Sequence, residues 1–211
     1  MSQTLWDFFV TRQDMLLGLV LEHVGIVLLA VAIAIVIGVT LGLLSSYYLT
    51  LASIILPFTQ IMMTVPSIAL LALFIPIFGT GFLNGLIGLV VYSLLPIVRN
   101  TYIGIKEIDK GIIEAAQGMG MSERRILLKV KIPLALPVIL AGVRTATVMV
   151  TGIAAIVSAV GAGGLGELIF RGIARTYRDM IIAGTILISL LGIAADYGLK
   201  AAERSLTKHQ C

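Results

Sequence analysis

The chain has 211 residues, 59% of them hydrophobic and only 12% charged, with a mean hydropathy of +1.08. Soluble globular domains carry about 25% charged residues, so this composition excludes a large water-facing surface. The net charge is +4, and no basic stripe interleaved with aromatics is present of the kind that holds single-stranded nucleic acid.

Residues 1–21 set Trp6, Phe8, Phe9 and Val10 against Asp7, Arg12 and Asp14, a mixture that predicts an interfacial helix with Trp6 at headgroup depth. Asp7 stands where a cleavable signal would carry positive charge, which argues against one. Between Glu22 and Arg99 there is no Asp, Glu, Lys or Arg. Each bilayer span needs roughly 20 mostly apolar residues, so this stretch has room for three. The first is expected over Val24–Leu44, ending at Ser45-Ser46-Tyr47-Tyr48, where tyrosines suit the interface. The second, over Leu51–Phe78, is interrupted by Pro57, Pro66 and Pro76. Each proline removes a backbone donor, and broken helix at membrane depth is tolerated only against protein or a wet cavity. Met62, Met63, Thr64, Pro66 and Ser67 of this span are therefore candidates to line a translocation path. Tyr92 and Ser93 of the third span and Ser158 of the fourth join them; core packing is the alternative for each.

The third span is expected over Phe82–Val98, after the turn Gly79-Thr80-Gly81. Charge then returns: Arg99–Lys131 holds seven basic residues against four acidic ones, which marks a cytoplasmic loop by the positive-inside rule. A fourth span runs from Pro133 to Val160 with Arg144 as its only charge. Arg144 reads equally well as a functional group and as a structural one whose side chain snorkels to the interface. Ala141, Gly142, Ala146, Gly152, Ala154, Ala155 and Ala159 give this helix a small-residue surface suited to close packing. A glycine-rich turn follows, with Gly161, Gly163, Gly164 and Gly166 as structural or gating candidates. The fifth span is expected over Met180–Leu199, and the tail carries Lys200, Arg204 and Lys208. The fold class is all-α, a polytopic membrane bundle of about five transmembrane helices forming one domain over 1–211. Placing the charged loop inside puts the N-terminus outside and the C-terminus inside. Arg171, Arg175 and Arg178 then fall outside, against the rule.

Within the loop, residues 106–133 form the most informative segment. Ala115 and Ala116 are strong helix formers with almost no side chain, so their helix can lie close against a partner. Gly120 can end that helix in the left-handed conformation, and Ser122 can cap a second one, with Pro133 at the entry to the fourth span. The pattern Glu114-Ala115-Ala116, three residues, Gly120, nine residues (Met121 to Lys129), then Val130-Lys131-Ile132-Pro133 resembles the EAA motif of ABC importer permeases. The run Ala159–Gly172, Gly142–Ala146 and Ile182-Ala183-Gly184 resemble the osmoprotectant subfamily, which carries glycine betaine, carnitine and choline. That resemblance implies that Glu114, Ala115, Ala116, Gly120, Met121, Ser122 and Pro133 dock on a separate ATPase. It further implies two ATP-binding subunits, a second permease copy or close paralogue, an extracytoplasmic substrate-binding protein, and the cytoplasmic membrane of a prokaryote as the setting.

Other signals carry less. Gly161–Gly166 formally fits G-x-G-x-x-G but follows a membrane helix, not a strand. No G-x-x-x-x-G-K-[ST] is present, so ATP and Mg are expected on the partner and none in this chain. His23 and His209 are read as solvated or interfacial, with no metal cluster and no catalytic residue; Cys211 has no second cysteine to pair with. Rival readings are a permease for another small solute such as methionine, an ATPase-independent secondary transporter, and a membrane scaffold. The secondary transporter is disfavoured by the scarcity of ionisable residues in the spans.

Overall fold

A computed structural model describes residues 5–207; His209, Cys211 and Lys208 lie outside the described residues. The ten α-helices among them are α1 (Leu5–Thr11), α2 (Gln13–Tyr47), α3 (Leu49–Thr64), α4 (Ser67–Phe78), α5 (Phe82–Lys106), α6 (Lys110–Gly118), α7 (Glu123–Ile126), α8 (Ile132–Val157), α9 (Gly166–Ala174) and α10 (Arg178–Thr207). A π-helical turn over Leu127–Lys131 leads into α8, and a 3-10 turn over Ser158–Val160 leaves it.

α2, α5, α8 and α10 are each long and apolar enough to cross a membrane, while α3 and α4 form a pair bent by 105°. Packing decides how that pair counts. α2 and α5 run parallel: a Cβ on Gly38 would meet Ile97, and one on Gly42 would meet Thr101 Cβ at 2.5 Å and the Val98 carbonyl at 2.8 Å. α8 runs antiparallel to α5, with Gly142 against Asn100 and Pro96 at one level and Gly85 against Val157 at the other. The end of α2 lies beside the start of α8, where Lys131 Nζ donates to Tyr47 Oη at 3.2 Å. The start of α5 lies beside the end of α8, where Gly81 N donates to the Val160 carbonyl at 2.6 Å. Between those two levels lie the 26 residues of α8, about 39 Å of helix. The α3–α4 pair carries the chain across that distance, so the bundle has five crossings. The charged loop and the end of α10 share one end; α1, α9 and the glycine-rich turn share the other.

The break in the second span is at Pro66. Val65 is extended (φ −68°, ψ 128°) and Pro66 follows with ψ 132°, the conformation a proline imposes on its predecessor. Pro57 and Pro76 sit inside helices. The carbonyl stranded at the break is met from α5, where Tyr92 Oη donates to Val65 O. Asn84 Nδ2 donates to the carbonyls of Leu71 at 3.2 Å and Gly79 at 2.8 Å, and Leu71 fills the notch left by Gly88.

Several boundaries differ from the sequence expectations. α2 begins at Gln13, eleven residues before Val24, because Leu16 and Leu19 are buried against Leu165, Leu168, Met180 and Ala183. Only Leu5–Thr11 forms a separate helix ahead of it; its Phe8 joins that cluster while Trp6 is exposed. α5 continues past Val98 to Lys106 and so carries Arg99 on the helix. The sequence placed His23 in solvent or at the interface. It is buried, and its Nε2 lies 3.0 Å from the Thr151 carbonyl of α8.

The α5–α8 contact gives a direct test. Gly142→Val is expected to destabilise the protein by about 1–3 kcal/mol through overpacking. Gly152→Ala, on a face with nothing within 4 Å, should be neutral; thermal unfolding of the purified chain in detergent compares the two.

Candidate functional site

The charged loop folds into an elbow. α5 ends at Lys106, and Asp109 Oδ1 accepts from Gly111 N at 2.6 Å, capping α6. α6 presents Glu114 and Ala115 to the outside and turns Ala116 inward, buried to 2% exposure. Two bonds close its end, Gly120 N to Gln117 O at 2.9 Å and Met121 N to Ala116 O at 3.2 Å. That 5→2 and 6→1 pair is the Schellman arrangement, which needs a residue with positive φ after the cap; Gly120 supplies it at φ 75°. Ser122 occupies the N-cap position of α7 by backbone, but its hydroxyl makes no cap bond. Gln117 Nε2 instead reaches Glu123 Oε1 at 3.4 Å, linking α6 to α7. Ile126 is fully buried and anchors the elbow.

The π turn has a local cause. Pro133 has no N–H for the Lys129 carbonyl, so an α-helical register fails there. The chain takes the wider one, with Ile132 N donating to Leu127 O. Pro133 then sits in the first turn of α8, where a proline is tolerated. Lys131 at the end of this turn also lies 4.7 Å from the centroid of the Tyr47 ring, so the elbow is joined directly to the α2–α3 corner. Outward, the elbow exposes Ile112, Met119 and Leu128 among charged residues, and Ser122, Arg124, Arg125 and Lys129 line a cavity of about 290 Å³ beside Leu128. Exposed apolar side chains rimmed by charge mark a protein-contact surface.

The candidate path residues fall into three places. Met63 is exposed and lines a cavity of about 350 Å³ with Pro96, Arg99, Thr145 and Met149. Met62, Thr64, Pro66 and Ser67 flank the break in the second span; Thr64 Oγ1 donates to Ile61 O at 2.8 Å. Tyr92 and Ser93 are buried, Tyr92 bonded across to Val65 and Ser93 Oγ to Leu89 O at 2.8 Å. Ser158 lies at the far end of α8, where its Oγ donates to Gly163 O at 2.6 Å.

The glycine-rich turn is a seat for α2. Gly161, Gly163 and Gly164 all have positive φ. Gly164 N donates to Glu22 Oε2 at 3.1 Å, and a Cβ on Gly164 would press on His23. A Cβ on Gly166 would run into the Ala155 carbonyl. Arg144 pairs with two carboxylates of α10, its Nε 3.6 Å from Asp196 Oδ1 and its Nη1 3.6 Å from Glu203 Oε2. Asp196 and Glu203 were missed as partners of Arg144; their spacing of seven puts both on one face of α10, a signal that Arg144 on the preceding span could have matched. Glu22, Tyr47 and Asp109 were also missed. Of these only Asp109, one residue before the α6 pattern, was visible as a cap.

The described residues thus form a multi-pass helical bundle of a membrane protein, with an elbow that exposes apolar side chains rimmed by charge at one end. The chain belongs to the binding-protein-dependent transport system inner membrane components, whose family profile matches residues 15–208. It is 44% identical over 197 residues to the osmoprotectant import permease protein OsmW of Salmonella typhimurium, covering 91% of this chain and 92% of that one. It is 41% identical over 186 residues to the glycine betaine/carnitine/choline transport system permease protein OpuCB of Bacillus subtilis, covering 88% and 86%. Its fold matches that of the MetNI methionine ABC transporter in an inward facing conformation, with a TM-score of 0.82 over 93% of this chain and 98% of that one at 24% identity. The chain is thus an ABC importer permease embedded in the membrane.

Two variants test the elbow and the α8–α10 contact. Gly120→Val faces no steric contact within 4 Å, so its cost is the left-handed backbone alone, about 1–2 kcal/mol. It should weaken co-purification of the cognate ATPase, whereas Gly118→Ala should not. Arg144→Met should lower the thermal midpoint more than Asp196→Asn, because Asp196 is the more exposed carboxylate of the pair and exposed pairs contribute little.

Proposed function

We propose that this permease carries a quaternary ammonium osmoprotectant such as glycine betaine, carnitine or choline. The observation that supports the cargo is the likeness, at 41–44% identity and nearly full length, to permeases named for those solutes. The likeness to the methionine transporter, at 24% identity, speaks to fold and gives methionine no equal footing.

In this reading two copies, or one copy and a close paralogue, enclose the path. Two ATP-binding subunits, which hold ATP and Mg, seat on the α6–α7 elbows, and a binding protein delivers solute at the opposite end. The elbow lies in the cytoplasm, which sets the N-terminus outside and the C-terminus inside. Arg171, Arg175 and Arg178 then face outward, where Arg171 is partly neutralised by its ion pair with Glu167. The chain turns over nothing itself. It converts closure of the ATPases, received at α6, into a change of access at the far end of the bundle.

Uptake of labelled glycine betaine, carnitine, choline and methionine in cells with and without this permease tests the cargo. Loss of at least one quaternary ammonium solute is expected; loss of methionine uptake alone would sink the reading. Reconstituted without its ATPase in vesicles bearing an ion gradient, the permease should move none of them. Transport there would return the secondary-transporter reading.

A further inference from the structure

Arg99 is the one Asp, Glu, Lys or Arg between Glu22 and Lys106. It stands on α5 two turns before the helix ends, about 10 Å inside that end. Its neighbour Asn100 packs on Gly142 in the middle of α8, which fixes its depth within the bundle. The Arg99 side chain is exposed, and among the described residues it makes no ion pair and no hydrogen bond. An uncompensated guanidinium is costly against lipid tails, and this one opens onto a groove in the protein surface.

Two adjoining cavities of about 350 and 290 Å³ share Leu95, Arg99 and Ile103. Thr145 adds a polar wall to one, Gln60 and Tyr102 to the other. Together they form a groove between α3, α5 and α8 within the size range of small-solute sites. The chain itself cannot supply the missing anion. Asp7, Asp14, Glu22, Glu167 and Asp179 lie toward the opposite end, and Glu107, Asp109, Glu114 and Glu123 lie in the elbow. Asp196 and Glu203 are engaged by Arg144. A second copy of this same chain would bring only the same set.

We propose that Arg99 receives the carboxylate of a zwitterionic solute passing through this groove, so that the permease favours glycine betaine and carnitine over choline, which has no carboxylate. The proposal rests on the quaternary ammonium reading above. The planar guanidinium offers two parallel N–H donors to a carboxylate. The same fixed charge repels a bare cation in a low-dielectric groove, which is discrimination by an unfavourable contact as much as by a favourable one. A lipid phosphate could present similar oxygens, and the test must separate the two sources.

The complete complex, with its ATPase and binding protein, is reconstituted in vesicles of phosphatidylcholine alone and of phosphatidylcholine with phosphatidylglycerol. ATP-driven uptake of labelled glycine betaine and choline is measured for wild type, Arg99→Gln and Arg99→Lys. Arg99→Gln is expected to cut glycine betaine uptake about tenfold and leave choline uptake unchanged or raised, in both vesicle types, with Arg99→Lys in between. Equal loss of both solutes, no loss, or an effect confined to the anionic vesicles would overturn the proposal, the last by assigning Arg99 to lipid. If Arg99→Gln fails to assemble, Arg99→Lys decides: a raised KM for glycine betaine alone supports the contact, and equal KM changes overturn it. If wild type takes only glycine betaine, retained uptake in Arg99→Gln overturns it, and loss rescued by Arg99→Lys supports it. A wild type that takes choline only leaves the quaternary ammonium reading standing and overturns this one; one that takes carnitine but not glycine betaine is put through the same variants with labelled carnitine, and one that takes none of the three removes both.

Discussion

A backbone carbonyl or amide left unpaired inside a bilayer has no water to turn to, and its cost is several kcal/mol. That constraint organises the places where this chain departs from continuous helix. The carbonyl freed at Val65 is met by Tyr92, and Asn84 donates to the Gly79 carbonyl just past the end of α4 and to that of Leu71 within it. Gly81 N finds the Val160 carbonyl at 2.6 Å, and the Gly163 carbonyl takes the Ser158 hydroxyl. In each case the partner comes from a neighbouring helix or from the same tight turn. Tyr92, Asn84 and Ser158 are thus fasteners for irregular backbone, while Ser93, Thr147 and Thr151 bond back to carbonyls of their own helices.

Close approach does the rest. Gly38 and Gly42 bring α2 onto α5, and Gly142 and Gly104 bring α8 onto it from the other side, so α5 is flanked along its length by both. With no hydrophobic drive between helices in lipid, such contact areas come from small residues that let backbones meet. The parallel course of α2 and α5 then forces the intervening segment to cross, even though Pro66 bends it by 105°. A sharply broken helix survives because both of its halves lean on α5.

Much of this was legible in the residues. Hydropathy located the spans, because uncharged runs such as Val24–Leu44 have no other use in a chain this apolar. The elbow was legible down to Gly120, since a helix end that requires positive φ leaves a glycine at a fixed distance from Ala116. What pattern could not give were contacts between distant segments. Nothing local tells that Glu22 and His23 will rest on Gly163 and Gly164, or that Lys131 will find Tyr47. Span limits also drifted where protein burial, as at Leu16 and Leu19, let a helix run on past the apolar core. Ser122 shows the opposite case: the residue type and the backbone position were right, and the hydroxyl bond was absent.

α8 joins the elbow to the glycine-rich turn without a break from Ile132 to Val157. It therefore behaves as a stiff rod with the elbow at one tip and the Glu22–His23 seat at the other. A rod about 39 Å long pivoting through about 10° sweeps its free tip through about 7 Å. That exceeds the reach of the Glu22 and His23 contacts, which are 3.0–3.1 Å long. A pivot of α8 of that size against a fixed α2 would part these contacts at one end of the bundle in answer to movement at the other.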